Sequence, residues 1–125
     1  MIRTCLYSEI SAFKYRADRG VASIDDGRKM TWIGAFDKEF PVGCVALRDI
    51  GKNRARLNSI FVCSEHRGKK IGTKLVQALV QTSIINGFVE IETRTPKGEL
   101  MMQFGFKPTG RDFAFGGSEY ILRLK

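Results

Sequence analysis

Val62-Cys63-Ser64-Glu65-His66-Arg67-Gly68-Lys69-Lys70-Ile71-Gly72-Thr73-Lys74-Leu75 joins two kinds of periodicity across one short basic loop. Before it, Asn58-Ser59-Ile60-Phe61-Val62 is rich in β-branched and aromatic residues, as a buried strand is; after it, Ile71, Leu75, Leu79 and Val80 recur near helical spacing. The junction is therefore the N-terminus of a helix. Such an end presents N–H groups without intrahelical acceptors and the positive pole of the helix dipole. Arg67, Lys69, Lys70 and Lys74 add charge of the same sign, so the loop reads as an anion cradle suited to a phosphate or diphosphate.

Charge along the rest of the chain supports that reading. The net charge is +8, yet residues 1–47 carry seven bases against six acids, while 48–74 carry eight bases against two acids. Most of the excess surrounds the cradle. A polyanionic ligand would be attracted there, and so would nucleic acid, because long-range electrostatics does not separate the two. With 125 residues, 43% hydrophobic and 27% charged, the chain suits one domain spanning 1–125. No apolar run approaches the ~20 residues that cross a bilayer, and residues 1–5 lack a signal-peptide core, so no membrane association and a cytoplasmic location are expected. Cys5, Cys44 and Cys63 are odd in number and scattered, a pattern that predicts neither disulfides nor a metal site.

The pattern predicts a first strand over 2–7, a short helix over about 8–19 with Ser8 and Ser11 near its start, and a loop over 20–29. Met30–Phe36 and Val42–Leu47 then pair as a hairpin through residues 37–41, Ile50–Asn53 turn, and Ala55–Val62 lead into the cradle. The cradle helix runs to Asn86-Gly87, with Lys74, Gln77 and Gln81 as its polar stripe. Phe88–Thr93 follows as a strand that returns parallel through a right-handed crossover and is stopped by Pro96. Gly98–Phe104 reads as a short helix, and strands near Arg111–Phe115 and Glu119–Leu124 close across Gly116-Gly117.

The order of these elements, with Val62-x-x-x-x-Arg67-Gly-Lys-Lys-Ile-Gly72, resembles the GCN5-related N-acetyltransferase (GNAT) superfamily. Its signature, [R/Q]xxGx[G/A], follows a bulged fourth strand; Arg67 and Gly72 match its ends, whereas Lys70 replaces the middle glycine. Phe104-Gly105-Phe106 similarly resembles the family's entry to its sixth strand. The resemblance implies an α/β fold, a mixed sheet of about six to seven strands splayed between strands four and five, with flanking helices. It implies that acetyl-CoA binds as co-substrate, its diphosphate on the backbone of Arg67, Gly68, Lys69, Lys70, Ile71, Gly72 and Thr73, and its pantetheine arm along Phe61, Val62 and Cys63. No metal is implied. Lys70 carries a Cβ where the family prefers none, a change tolerable while its backbone stays right-handed.

The resemblance also implies direct attack of an amine on the thioester, with a glutamate late in strand four as base and a tyrosine in the short helix as acid. Here Asn58 and Met101 stand near those positions, and neither transfers a proton. Arg94 stands near the usual asparagine after strand five. The substitutes are Glu90 and Glu92, which share one face of their strand and either reach the cleft or pair with Arg56 or Arg94, and Tyr120, which either donates to sulfur or packs in the core. His66 stands where an aromatic packing residue is common, and Cys63 has no base to activate it.

Only about 29 residues precede the Met30 strand, a short wall that favours an open site and an acceptor amine on a macromolecule such as a protein, although a small molecule or a homodimer wall fits too. Phe113 and Phe115 line either an acceptor groove or a subunit contact. Two further readings stand beside acetyl transfer: a non-catalytic acyl-CoA-binding module, and a nucleic-acid binder or modifier that uses the basic surface.

Overall fold

A computed structural model describes residues 1–11, 30–114 and 116–124. Its strands are β1 (Ile2–Cys5), β2 (Met30–Asp37), β3 (Phe40–Gly51), β4 (Arg54–Val62), β5 (Glu90–Thr95), β6 (Lys107–Asp112) and β7 (Ser118–Arg123). Its helices are α1 (Tyr7–Ile10), α2 (Ile71–Ile85) and α3 (Gly98–Met102). The strands form one seven-stranded mixed sheet in the order β1-β2-β3-β4-β5-β7-β6.

Strands β1 to β4 form an antiparallel meander. The turn between β3 and β4 is tight because Lys52 and Asn53 both adopt positive φ, at 56° and 59°, the pair of conformations a twisted two-residue hairpin demands. β4 then bulges: Val45 of β3 faces Ile60 while Leu47 faces Leu57, so Ala46 is opposed by both Asn58 and Ser59. β4 and β5 are parallel, as the crossover through α2 predicts, and they pair only at Arg54↔Glu90, Ala55↔Ile91 and Arg56↔Glu92. Beyond Arg56 the two strands part. A cleft therefore opens towards the end of β4, between it and the segment that follows β5.

The core has two halves, one on each face of the sheet. On one face α2 lays Leu75, Val76 and Leu79 against Ile33, Val45, Leu57 and Ile91. These helix side chains are at most 1% exposed, and each contributes about 2 kcal/mol by the area it removes from water. On the other face Trp32, Phe36, Cys44, Ala46, Phe61 and Cys63 pack around Ile10. Polar Lys74, Gln77 and Gln81 face outward as expected, but Ile84 and Ile85 are exposed as well, so the wet side of α2 ends in an apolar tip. Among the described residues no helix is long and apolar enough to cross a membrane.

Several boundaries differ from the pattern. α1 begins at Tyr7 rather than Ser8, and its start is held by the Glu9 carboxylate, which accepts the Leu6 N–H at 2.8 Å; Ser8 lies inside the turn. The Arg3 guanidinium hydrogen-bonded to Glu9, and then that N–H, hold its carboxyl below the usual range. The rest of the expected helix, residues 12–19, and the 20–29 loop lie outside the described residues, as does Phe115. β5 starts two residues late, at Glu90, although Val89 still bonds to Asn53 and Leu124, the residues that flank β4 and β7. β6 starts at Lys107, immediately after the Phe106 core anchor, and not near Arg111.

The three cysteines, scattered in sequence, gather on the Trp32 face. Cys5 and Cys44 are separated by β2, which at ~4.8 Å per strand is about twice the spacing of neighbours and beyond disulfide reach. Burial pushes the Cys44 thiol up to about 12, so it stays neutral.

Candidate active site

A cleft of about 660 Å³ opens where β4 and β5 part. One wall is the end of β4, Ile60 to Val62; the floor and top are His66, Arg67, Gly68 and Lys70, then Ile71, Gly72, Thr73 and Val76 of α2. The opposite wall is Lys97, Leu100 and Phe104, on and around α3. Among the described residues, every ionisable side chain lining it is basic or imidazole: His66, Arg67, Lys70 and Lys97. The first N–H groups of the 15-residue α2 lack intrahelical acceptors, and they belong to the same residues that line the cleft. A cleft of this size with a convergent positive end is built to hold an extended, partly apolar anion.

Local geometry explains why these residues make the cradle. Cys63 leaves the strand with its N–H bonded to Val42 O at 2.9 Å, and Ser64–His66 form a single 3-10 turn. Arg67 then folds back, its Nε donating to Val62 O at 3.0 Å, which ties the loop to the strand end it came from. Gly68 takes φ +84° and Lys70 takes φ +61°, two left-handed residues that curl the backbone around the helix start. Lys70 is therefore not right-handed, the condition under which its Cβ was expected to be tolerable; it bears the strain a glycine would avoid, ~1–2 kcal/mol for a residue with a Cβ. Lys70→Gly is expected to raise the melting temperature by a few degrees, a net gain of about 0.5 kcal/mol after the greater chain entropy of glycine, measurable by calorimetry.

Gly72 differs. Its φ is ordinary, and an added Cβ would meet only Val62 Cγ2 at 3.9 Å, so no neighbouring protein atom explains the glycine. The bare backbone instead leaves the cradle open to a ligand.

Of the residues expected to hold a cofactor, Phe61, Val62, Arg67, Gly68, Lys70, Ile71, Gly72 and Thr73 line the cleft. Cys63 is buried on the opposite face and Lys69 is exposed outside the cleft, so neither lines it. Lys97, Leu100, Phe104 and His66 complete the wall. The apolar pair Leu100 and Phe104 shows in sequence as an i, i+4 stripe, whereas Lys97 has no sequence signal beyond its charge.

The expected catalytic residues are not brought there. Glu90 accepts from Arg54 Nε at 2.6 Å, and Glu92, 5% exposed, accepts from Arg56 Nε at 2.8 Å and from its NH2 group. Both carboxylates sit at the paired end of β4 and β5, away from the opening, where the ion-pair alternative holds for both and extends to Arg54. Tyr120 packs on the α2 face of the sheet with its hydroxyl against the Cα of Gly98, where a Cβ would clash with it outright. Met101, at the family's acid position, is 3% exposed in the core. Arg94 lies over the Phe113 ring at 4.6 Å, and Arg111 over the same ring at 5.3 Å, so this aromatic is engaged by two cations. Among the described residues no cluster of His, Cys, Asp and Glu has the geometry of a metal site.

No curated protein matches the sequence significantly. Solved structures match closely in shape. An aminoglycoside 6'-acetyltransferase type Ii superposes with a TM-score of 0.82 at 18% identity, covering 100% of this chain and 97% of that one. An aminoglycoside 6'-N-acetyltransferase complexed with coenzyme A gives 0.81 at 16% identity over 100% and 97% of the two chains. An IAA acetyltransferase from Bacillus cereus gives 0.81 at 16%, over 99% of both. At such identities the likeness establishes the fold. The family model for the Acetyltransferase (GNAT) family matches residues 3–106, most of the sheet and the whole cradle, and the chain thus belongs to that family.

Proposed function

We propose that this protein binds acetyl-CoA in the β4–β5 cleft and transfers the acetyl group to an amine by direct attack on the thioester. The observation that carries the reading is the lining of the cleft: among the described residues, four basic or imidazole side chains and no carboxylate, with the N-terminal turn of α2 at one end. The diphosphate takes the backbone of residues 67–73. The pantetheine arm lies along Phe61 and Val62, where β4 has already parted from β5 and no ladder competes on that side. The amine and thioester are held side by side, which converts a bimolecular encounter into a local one. The acceptor is an amine on either a small molecule or a protein.

Two observations favour a second reading, a non-catalytic acyl-CoA-binding module: Met101 is sunk in the core, and Glu90 and Glu92 are committed to arginines. The nucleic-acid reading is weakened, because Arg54 and Arg56, both from the basic stretch 48–74, are matched by those carboxylates. Acetyl-CoA at a hundred times its dissociation constant should stabilise the fold by about 2.7 kcal/mol in a thermal-shift experiment. Free thiol released in the presence of an amine panel supports transfer; stabilisation without thiol release supports the binding module. No stabilisation, together with steeply salt-dependent retention of an oligonucleotide, would overturn both in favour of nucleic acid.

A further inference from the structure

We infer that Lys97 is the cation that receives the departing sulfur, a role left open by Met101, Glu90, Glu92 and Tyr120. This rests on the acyl-CoA reading above. Lys97 lines the cleft from the wall opposite the cradle, and among the described residues no carboxylate pairs with it. Its position is set by the chain: Pro96 ends β5, and the Lys97 N–H donates to Thr95 Oγ1 at 3.0 Å, fixing the bend from strand to α3. Beyond Arg56↔Glu92 the two strands part, and Lys97, which follows β5, lines the cleft together with Ile60, Phe61 and Val62 at the end of β4.

Phe61 and Val62 are the residues along which the pantetheine arm is proposed to lie, in the same cleft as Lys97. The arm carries amides and a hydroxyl, all neutral, and its single group that becomes an anion is the sulfur. In transfer, the amine nitrogen forms a bond to the carbonyl carbon and the C–S bond breaks. The bond's electron pair leaves on sulfur as a thiolate, and the proton from the amine passes to water. A fixed ammonium beside the sulfur lowers the energy of that thiolate without itself giving up a proton. Among the described residues, the other charged or titratable side chains lining the cleft are His66, Arg67 and Lys70, all at the cradle end.

Bound coenzyme A tests this without knowledge of the acceptor, because its thiolate is read directly by ultraviolet absorbance. The thiol of coenzyme A bound to the wild-type protein should ionise at a pH lower by roughly one unit or more than that of the free cofactor, the effect of an opposite charge within ~4–6 Å. Lys97→Met should abolish the shift and Lys97→Arg should retain most of it. Desulfo-coenzyme A, which keeps the phosphates and lacks the thiol, should bind wild type and Lys97→Met within twofold of each other. An unshifted thiol in the wild-type complex overturns the role of Lys97, as does a Lys97→Met variant that keeps the full shift. Loss of desulfo-coenzyme A affinity on substitution overturns it too, by assigning Lys97 to the phosphates. Failure of the wild-type protein to bind coenzyme A in calorimetry overturns the acyl-CoA reading itself.

Discussion

Gly72→Glu should lower affinity for acetyl-CoA at least a hundredfold while leaving the melting temperature within a few degrees of wild type. The separation of the two effects follows from the backbone. Gly72 has an ordinary φ and its nearest obstacle to a Cβ is a methyl group at 3.9 Å, so the folded protein accommodates the first atom of a side chain. Glutamate is also a better helix former than glycine, and an acidic side chain in the first turn of α2 favours the dipole. What it cannot share is the space and charge of an anion on the same N–H groups. A hundredfold loss corresponds to about 2.7 kcal/mol, modest for a carboxylate placed against a diphosphate. Gly72→Ala should fall between, because it intrudes without repelling. Isothermal calorimetry on the three proteins reads the series, and unchanged affinity in the glutamate variant would remove the cradle from the cofactor site.

Arg56→Ala should destabilise the fold by about 2 kcal/mol, the loss of one partner from a nearly buried pair reduced by what remains. Glu92 is the buried member, and Arg54, 3.7 Å from its other oxygen, offers partial compensation. Arg56 itself has a side chain 21% exposed, which lowers the figure further below that of a fully enclosed pair. Arg56→Met combined with Glu92→Leu should recover most of the loss, since an apolar pair needs no partner. Denaturant titration measures stability, and acetyl-CoA binding in the same variants separates structure from chemistry. If Glu92 serves only the sheet, the double variant binds the cofactor as wild type does; tenfold loss of binding would place the carboxylate in the site after all.

These contrasts show why some of the molecule was legible in its residues and some was not. The cradle was readable because three independent signals coincide at Arg67–Gly72: a change of hydrophobic period, glycines, and concentrated charge. The parallel return of β5 follows from its place after a crossover helix, and the two-residue turn at Lys52-Asn53 lies inside a recognisable hairpin. Glu90 and Glu92 misled because alternation places side chains on a face but not at a height; only the register with β4 puts them beside Arg54 and Arg56. Tyr120 misled for a related reason, since its hydroxyl position depends on Gly98, in another element. The left-handed Lys70 has no local signature at all, because lysine rarely adopts that conformation and its neighbours impose it here.

The short ladder between β4 and β5 has a consequence for how the molecule holds together. β1 to β4 are consecutive neighbours, whereas β5, β7 and β6 form a second group. Three rungs, the Arg54–Glu90 and Arg56–Glu92 ion pairs and the underside of α2 join them. The sheet is thus two panels fastened along a partial seam, and the cleft is the unfastened length of that seam. A ligand lying in it touches β4 on one side and the α3 segment on the other, so occupancy stitches the panels together. In linkage terms, the free energy of filling the cleft is also free energy of cohesion between the β1–β4 panel and the β5–β7–β6 panel.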